Sequence, residues 1–236
     1  MTVARAVFFD AGNTILALDY EVIADRIRAG GHAVAVADVR LAEQHARVRL
    51  DPHLGRGRST EAVDVFPLYV RYLLERLGIP WDDGAEGMAR ELRTARSPYG
   101  LWSVGVPEAA VVLPALRRRG FRLAVVSNSN GTVADILRSV GLADQVDVIV
   151  DSGVVGVEKP DPRIFEHAAA ALGVRPDEAV HVGDLYSVDV VGARAAGCRA
   201  ILLDPAGAWP ELDCPKAPDL PAAARLIESM AGSHGP

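Results

Sequence analysis

The stretch Ala6-Val7-Phe8-Phe9-Asp10-Ala11-Gly12-Asn13-Thr14 decides how the rest of this chain is placed. An apolar run ends abruptly in an acid, and small, turn-forming residues follow. That pattern describes a buried strand opening into a tight loop. Asp10 then stands at the carboxyl end of the strand, where open parallel sheets bind ligands, and it is the candidate nucleophile.

Outward from this strand, helices are expected over 21–28, 39–50, 59–77 and 82–96. The third is the best defined. Ser59 can cap it, Val63, Phe66, Val70, Leu73, Leu74 and Leu77 recur at helical spacing, and Gly78 stops it. Gly84 and Gly87 weaken the fourth. Residues 97–106 read as loop. After Pro107, strands expected at 121–126, 146–150, 179–182 and 199–203 alternate with helices at 108–119, 132–140, 161–172, 188–196 and 222–230. Pro114 implies a kink in the first of these helices, while Asp161 and Pro162 suit the start of the third. Strands alternating with helices mean parallel strands joined by right-handed crossovers. The expected fold class is α/β. Residues 1–15 and 105–236 would form a parallel-sheet core with helices on both faces, and residues 16–104 an inserted helical cap domain.

Bulk composition narrows the function classes. The 236 residues suffice for a core with an insert. A net charge of -6 argues against a nucleic-acid partner. No apolar run is long enough to span a membrane. Cys198 and Cys214 are too few for a disulfide framework and lack metal-site spacing, so reduced thiols are expected. The N-terminus runs straight into the first strand with no room for a signal peptide, which makes a cytoplasmic protein the expectation. Arginine is abundant, but the only lysines are Lys159 and Lys216. A lysine inside a motif is therefore informative.

Each core strand ends in something reactive. The first ends in Asp10, the second in Ser127-Asn128, and the fourth in Gly183-Asp184, with Asp189 a little beyond; Glu158-Lys159-Pro160 precedes a capped helix. Parallel topology brings such ends to one edge. The chemistry this suggests is phosphoryl transfer through a covalent aspartate. Asp10 would attack phosphorus, and Mg²⁺ would offset the charge of a phosphate beside several carboxylates. Asp10, Asp184 and the backbone carbonyl of Gly12 are candidate metal ligands. Asp189 would hold a metal-bound water or the lysine. The Ser127 hydroxyl and the Asn128 N–H would bind a phosphoryl oxygen, and Lys159 would pair with phosphate and Asp10. The plainer alternatives stay open. Ser127, Ser129 or Asn130 could cap a helix, Lys159 could sit on a surface turn, and Asp189 could only stabilise a helix start.

The order Asp10-x-x-x-Thr14, Ser127-Asn128, Lys159-Pro160, Gly183-Asp184-x-x-x-x-Asp189 resembles the haloacid dehalogenase superfamily from end to end of the core. The resemblance implies a Rossmann-like core, a helical cap after the first motif, and Mg²⁺-dependent phosphatase activity on a small phosphorylated metabolite. It implies Asp10 as nucleophile, Ser127 as phosphate binder, Lys159 as charge clamp, and Asp184 and Asp189 as metal-side acids. One position departs from the pattern. Phosphatases of this superfamily usually carry a second Asp two residues after the nucleophile, to protonate the leaving oxygen and then activate water. Here Gly12 occupies it. General acid–base catalysis is worth roughly 10²–10⁴-fold, so turnover should be slow or limited to good leaving groups, and Gly12→Asp should improve alkyl esters. Glycine retains the carbonyl for the metal. Asp19, Tyr20 or a cap residue could replace the acid.

Two other readings accompany the phosphatase. One is a catalytically weak protein of the same fold that binds a phosphorylated ligand. The other is a metal-independent 2-haloacid dehalogenase, in which halide leaves without a proton. Substrate choice would lie in the cap, where Asp51-Pro52-His53-Leu54-Gly55-Arg56-Gly57-Arg58 is either an anion-binding loop or a solvated basic turn. Arg71, Arg76 and Arg90 read as exposed helix faces, and Tyr99 and Trp102 as packing or cleft residues. The chain is expected to act as a monomer or homodimer.

Overall fold

The computed structural model describes residues 2–55, 59–96 and 98–231. In chain order the first half comprises β1 (Ala6–Phe9), β2 (Leu16–Ala17), α1 (Tyr20–Ala29), α2 (Val36–Leu54), α3 (Val65–Arg76), α4 (Asp83–Thr94) and β3 (Val104–Gly105). The second half comprises α5 (Ala109–Arg118), β4 (Arg122–Ser127), α6 (Val133–Ser139), β5 (Val148–Asp151), α7 (Ser152–Val155), α8 (Pro162–Leu172), β6 (Ala179–Gly183), α9 (Val191–Ala195), β7 (Arg199–Leu203), β8 (Lys216–Ala217) and α10 (Leu220–Ala231).

Six strands form one parallel sheet in the order β5-β4-β1-β6-β7-β8, so β1 lies between β4 and β6. The strands alternate between two faces, as the period of two requires. Val7, Phe9, Leu123, Val125, Val180 and Val182 pack with α5, α6 and α10. Ala6, Phe8, Ala124, Val126, Ala200 and Leu202 pack with α8 and α9. Burial on both faces explains why these strands read as continuous apolar runs. The short antiparallel pair of β2 and β3 closes the base of a helical segment, α1 to α4, which has its own hydrophobic cluster. Among the described residues no helix is long and apolar enough to cross a membrane.

Several expectations are corrected. The helix expected from Ser59 begins only at Val65. Starting there puts Pro67 in the first turn, where its missing N–H costs no intrahelical bond. Ser59 instead donates to Glu158 Oε2 at 2.7 Å, and Val63 is left exposed. The loop expected at 97–106 contains β3, and β8 was not expected. These two-residue strands carry too little periodicity to read from sequence. The helix expected from 188 starts as a π-helical turn, Tyr186–Val190, before α9. Asp161 does cap α8, accepting from Arg163 N at 2.9 Å. Both cysteines are free and buried; burial raises the Cys198 thiol to about 12.

Candidate active site

Register converts sequence order into a site. Phe9 pairs with Val125 on one side and Val182 on the other, so Asp10, Ser127 and Asp184 emerge along one edge of the sheet. The Asp10 N–H donates to Val182 O at 2.8 Å, which holds the acid at the end of β6. Asp10, Gly12, Ser127, Asn128, Lys159, Asp184 and Asp189 line one cavity of about 370 Å³. That volume suits a small metabolite.

Lys159 is 3% exposed. Its Nζ lies 2.5 Å from Asp10 Oδ1 and 2.7 Å from Asp189 Oδ1. A surface lysine is excluded by this burial. Its backbone is clamped by the Asn128 carboxamide, whose Nδ2 donates to Lys159 O at 2.9 Å and whose Oδ1 accepts from Lys159 N at 2.7 Å. Ser127 is buried beside them, and its hydroxyl makes only a long contact, 3.4 Å, to Asn128 O. Asp151 shapes the loop after Ser127 by accepting from Gly131 N at 3.0 Å and Val133 N at 3.2 Å.

Asp189 accepts four hydrogen bonds. Its Oδ1 accepts from Lys159 and from His181 Nε2 at 2.9 Å; its Oδ2 accepts from Asp184 N at 3.1 Å and Leu185 N at 2.9 Å. The π-turn aims the carboxylate back at these groups, a common use of such turns. Gly183 is required beneath it, because a Cβ there would lie 2.2 Å from Asp189 Cγ. Burial alone would raise the Asp189 pKa, but Lys159 and His181 overcome it and hold the group below the usual carboxylate range. Asp189 therefore orients Lys159 and the Asp184 loop.

Asp10, Asp184 and Asp189 each offer an oxygen within 4.8 Å of the others. Burial raises the pKa of Asp10 against the pull of Lys159, and raises Asp184 to about 8 against Arg47. An all-oxygen donor set short of positive charge suits a hard divalent cation. The sign of the pH effect follows. These two acids hold protons more tightly folded than unfolded, so the stability they contribute is full below the ordinary carboxylate range. It is lost as pH rises toward 8; Asp189 opposes this only below that range. In EDTA, the urea-derived unfolding free energy should fall on the order of 1–3 kcal/mol from pH 5.5 to pH 8. Equal or greater stability at pH 8 would contradict the shifts.

Asp184 Oδ2 accepts from Asn13 Nδ2 at 3.2 Å and from Arg47 Nη1 at 3.1 Å. Arg47 comes from α2 and is 4% exposed. Glu43, one turn earlier, grips its other edge through Nε at 3.0 Å and Nη2 at 2.6 Å. The hydroxyls of Tyr20 and Tyr69 both donate to Glu43. Sequence reading missed Arg47, Glu43, Asn13 and His181. Glu43 and Arg47 at i,i+4 look like any solvated helix pair. His181 was visible only as a polar residue inside an apolar run.

Gly12 is roofed by Trp102. A Cβ at position 12 would meet Trp102 Cδ1 at 3.1 Å. The indole donates to Asn13 Oδ1 at 3.1 Å and stacks on Tyr69 with centroids 6.1 Å apart. The gain expected from Gly12→Asp would be made against this contact. Overpacking should destabilise that variant by about 1–3 kcal/mol. The pair with Trp102→Leu should recover the lost melting temperature, and recovery failing would remove the steric explanation. Tyr99 and Trp102 both line the cavity.

Asp19 and Tyr20 do not line it. Asp19 caps α1 through Val22 N at 3.2 Å and pairs with Arg96, while Tyr20 serves Glu43. Among the described residues, the one lining carboxylate outside the three aspartates is Glu61, exposed at the cavity and with its pKa raised first by partial desolvation and then by Glu158. Arg71, Arg76 and Arg90 are exposed. The stretch expected as a loop from Asp51 is helical over its first half, since Asp51–Leu54 close α2; Arg56, Gly57 and Arg58 lie outside the described residues.

Comparison with known proteins places the family and the fold. A family model described as haloacid dehalogenase-like hydrolase matches residues 4–197. The mouse haloacid dehalogenase-like hydrolase domain-containing protein 3 is 30% identical over 237 residues, covering 96% of this chain and 93% of that protein. A phosphoserine phosphatase of Thermus thermophilus is 44% identical over 145 residues, covering 58% and 55%. The magnesium-bound HAD-hydrolase YfnB of Bacillus subtilis shares the fold, with a TM-score of 0.64 at 20% identity over 96% of this chain and 99% of that one.

Proposed function

This chain belongs to the haloacid dehalogenase-like hydrolases, and from that premise we propose that it is a Mg²⁺-dependent phosphatase acting on a small phosphorylated metabolite. The observation that carries the reading is Lys159 Nζ held between Asp10 and Asp189 at the strand edge that also presents Ser127. Phosphatase relatives support it.

Asp10 attacks phosphorus through a carboxylate oxygen, and the ester oxygen leaves. An aspartyl-phosphate forms, and water then hydrolyses it, returning free Asp10 and inorganic phosphate. The nucleophile must be ionised, and Lys159 opposes the burial that would protonate it. The same ammonium faces a phosphoryl oxygen, with the Ser127 hydroxyl and Asn128 N–H beside it. Asp189 fixes the ammonium in this position. Asp10, Asp184 and the Gly12 carbonyl would hold Mg²⁺, with Asp189 reaching it only through water. Bound Mg²⁺ would neutralise charge on the transferring group and orient it toward Asp10. Residues 16–104 act as the cap that excludes water during reaction. With glycine at position 12 and indole above it, no side chain there protonates the leaving oxygen. Aryl and acyl phosphates are thus the favoured substrates.

One observation favours a second reading, a 2-haloacid dehalogenase. The Arg47–Asp184 pair neutralises an acid that would otherwise repel a substrate carboxylate. A single panel separates the two. Phosphate release from aryl, acyl and alkyl phosphates with Mg²⁺, abolished by EDTA, is the expected result. Chloride release from 2-chloropropionate in EDTA, without phosphatase activity, would establish the dehalogenase instead. Ligand binding without turnover of either class would leave only a binding protein.

A further inference from the structure

Among the described residues, the cation that touches the proposed metal acids from the helical segment is Arg47. Its guanidinium is divided between two carboxylates on opposite sides. Glu43, on its own helix, holds Nε and Nη2, and Asp184, at the sheet edge, takes Nη1 at 3.1 Å. Every partner is buried: Glu43 is 0% exposed and Asp184 3%. The tyrosine hydroxyls on Glu43 come from α1 and α3, so three helices converge on the Glu43–Arg47 pair.

The same helix touches the sheet edge again one turn later. Asp51 Oδ1 accepts from Ser187 N at 2.9 Å, and Asp51 O accepts from the Ser187 hydroxyl at 2.9 Å. Arg47, Leu50, Asp51 and Leu54 are all buried on this face of α2. The loop carrying Asp184 and Asp189 is therefore docked to α2 at two points, one of them an ion pair made through a proposed metal ligand.

We propose that Arg47 is a positioning residue that occupies Asp184 in the metal-free protein and is exchanged for the divalent cation when the site loads. The inference rests on the phosphatase reading above. Two cations on one buried carboxylate repel each other, and in a low-dielectric site that repulsion is weakly screened. Metal affinity and the Arg47 contact must then oppose each other, and by linkage each weakens the other. Loading the site releases α2 at its ion-paired contact, leaving the Ser187 hydrogen bonds to hold the helix. Glu43 keeps the guanidinium at the cavity wall, with Nη1 free to meet a phosphoryl oxygen. Loading first and admitting substrate second is the order this arrangement imposes.

The sign of the effect separates this role from a structural one. A merely structural arginine, once removed, would disorder Asp184 and weaken metal binding. An arginine in competition would, once removed, strengthen it. Replacing Arg47 alone would strand Glu43 in the interior, so the informative variant is R47M/E43Q, which removes both charges and leaves an acceptor for the tyrosines. Titration calorimetry of the full chain with Mg²⁺, without substrate, should give a Kd at least tenfold lower for R47M/E43Q than for the native chain. R47K, which keeps the positive charge, should stay within about threefold of native. An unchanged or higher Kd in a folded R47M/E43Q overturns the proposal. If the native chain still releases phosphate with Mg²⁺, that result leaves the phosphatase reading intact. Absence of Mg²⁺ binding in all three, together with absence of turnover, overturns both.

Discussion

Asp10→Asn should abolish phosphate release, lowering kcat on the order of 10⁴-fold or more on every ester that the native chain hydrolyses. Asparagine keeps the size and one carbonyl oxygen, so Lys159 retains a hydrogen-bond acceptor at that point. It also keeps Asp189 as its ion partner at 2.7 Å. No buried cation is stranded, and the melting temperature should change little. The effect is then chemical, because an amide oxygen is a poor nucleophile toward phosphorus. Rapid-quench measurement with a radiolabelled aryl phosphate should show acid-stable label on the native protein and none on the variant. Residual activity above about 1% of native, beyond what a trace of deamidated protein explains, would move the nucleophile to another residue.

Lys159→Met should be the most destabilising single change in the site. Lys159 is the ammonium between two buried acids, and its own pKa is raised because Asp10 and Asp189 together outweigh the desolvation that would lower it. Without it the carboxylates face one another, with His181 the remaining side-chain partner of Asp189 among the described residues. Breaking a buried pair by removing one member costs about 3–5 kcal/mol. For a chain of this size that is a fall in melting temperature of roughly 10 °C. Activity should fall at least about 10²–10³-fold, the scale for losing one preorganised charge donor. Protonation of the stranded acids relieves the repulsion, so the stability deficit should shrink from pH 8 to pH 5. Asp189→Asn in the Lys159→Met background should recover part of the deficit. A deficit that does not vary with pH would mean that Lys159 stabilises by packing its chain rather than by its charge.

Much of this architecture could be read before any coordinates. Apolar runs such as Ala6–Phe9 and Leu123–Val126 are visible because both faces of the sheet are covered. Parallel pairing then makes the strand ends converge whatever the helices between them do. Local chemistry was equally legible at Asp161-Pro162, where cap and first-turn proline act within one turn. The start of α3 was not legible, because Ser59 is as good a local cap as Asp64. The choice was made by Pro67 and by the distant acceptor on Glu158.

Sequence alone determined which reactive residues end which strands, the family, and the absence of a side chain at position 12. All of these depend on residue identity and on local or pairwise pattern. Only the tertiary structure decided what surrounds Asp10-Ala11-Gly12-Asn13. It set Trp102 over Gly12, turned Asn13 onto Asp184, and carried Arg47 from α2 into the acids. The bonds from Trp102 to Asn13, from Asn13 to Asp184 and from Arg47 to Asp184 join residues separated by 89, 171 and 137 positions. No period or spacing records such distances, because they are set by how the sheet brings its strand ends together and how the helical segment packs onto that edge.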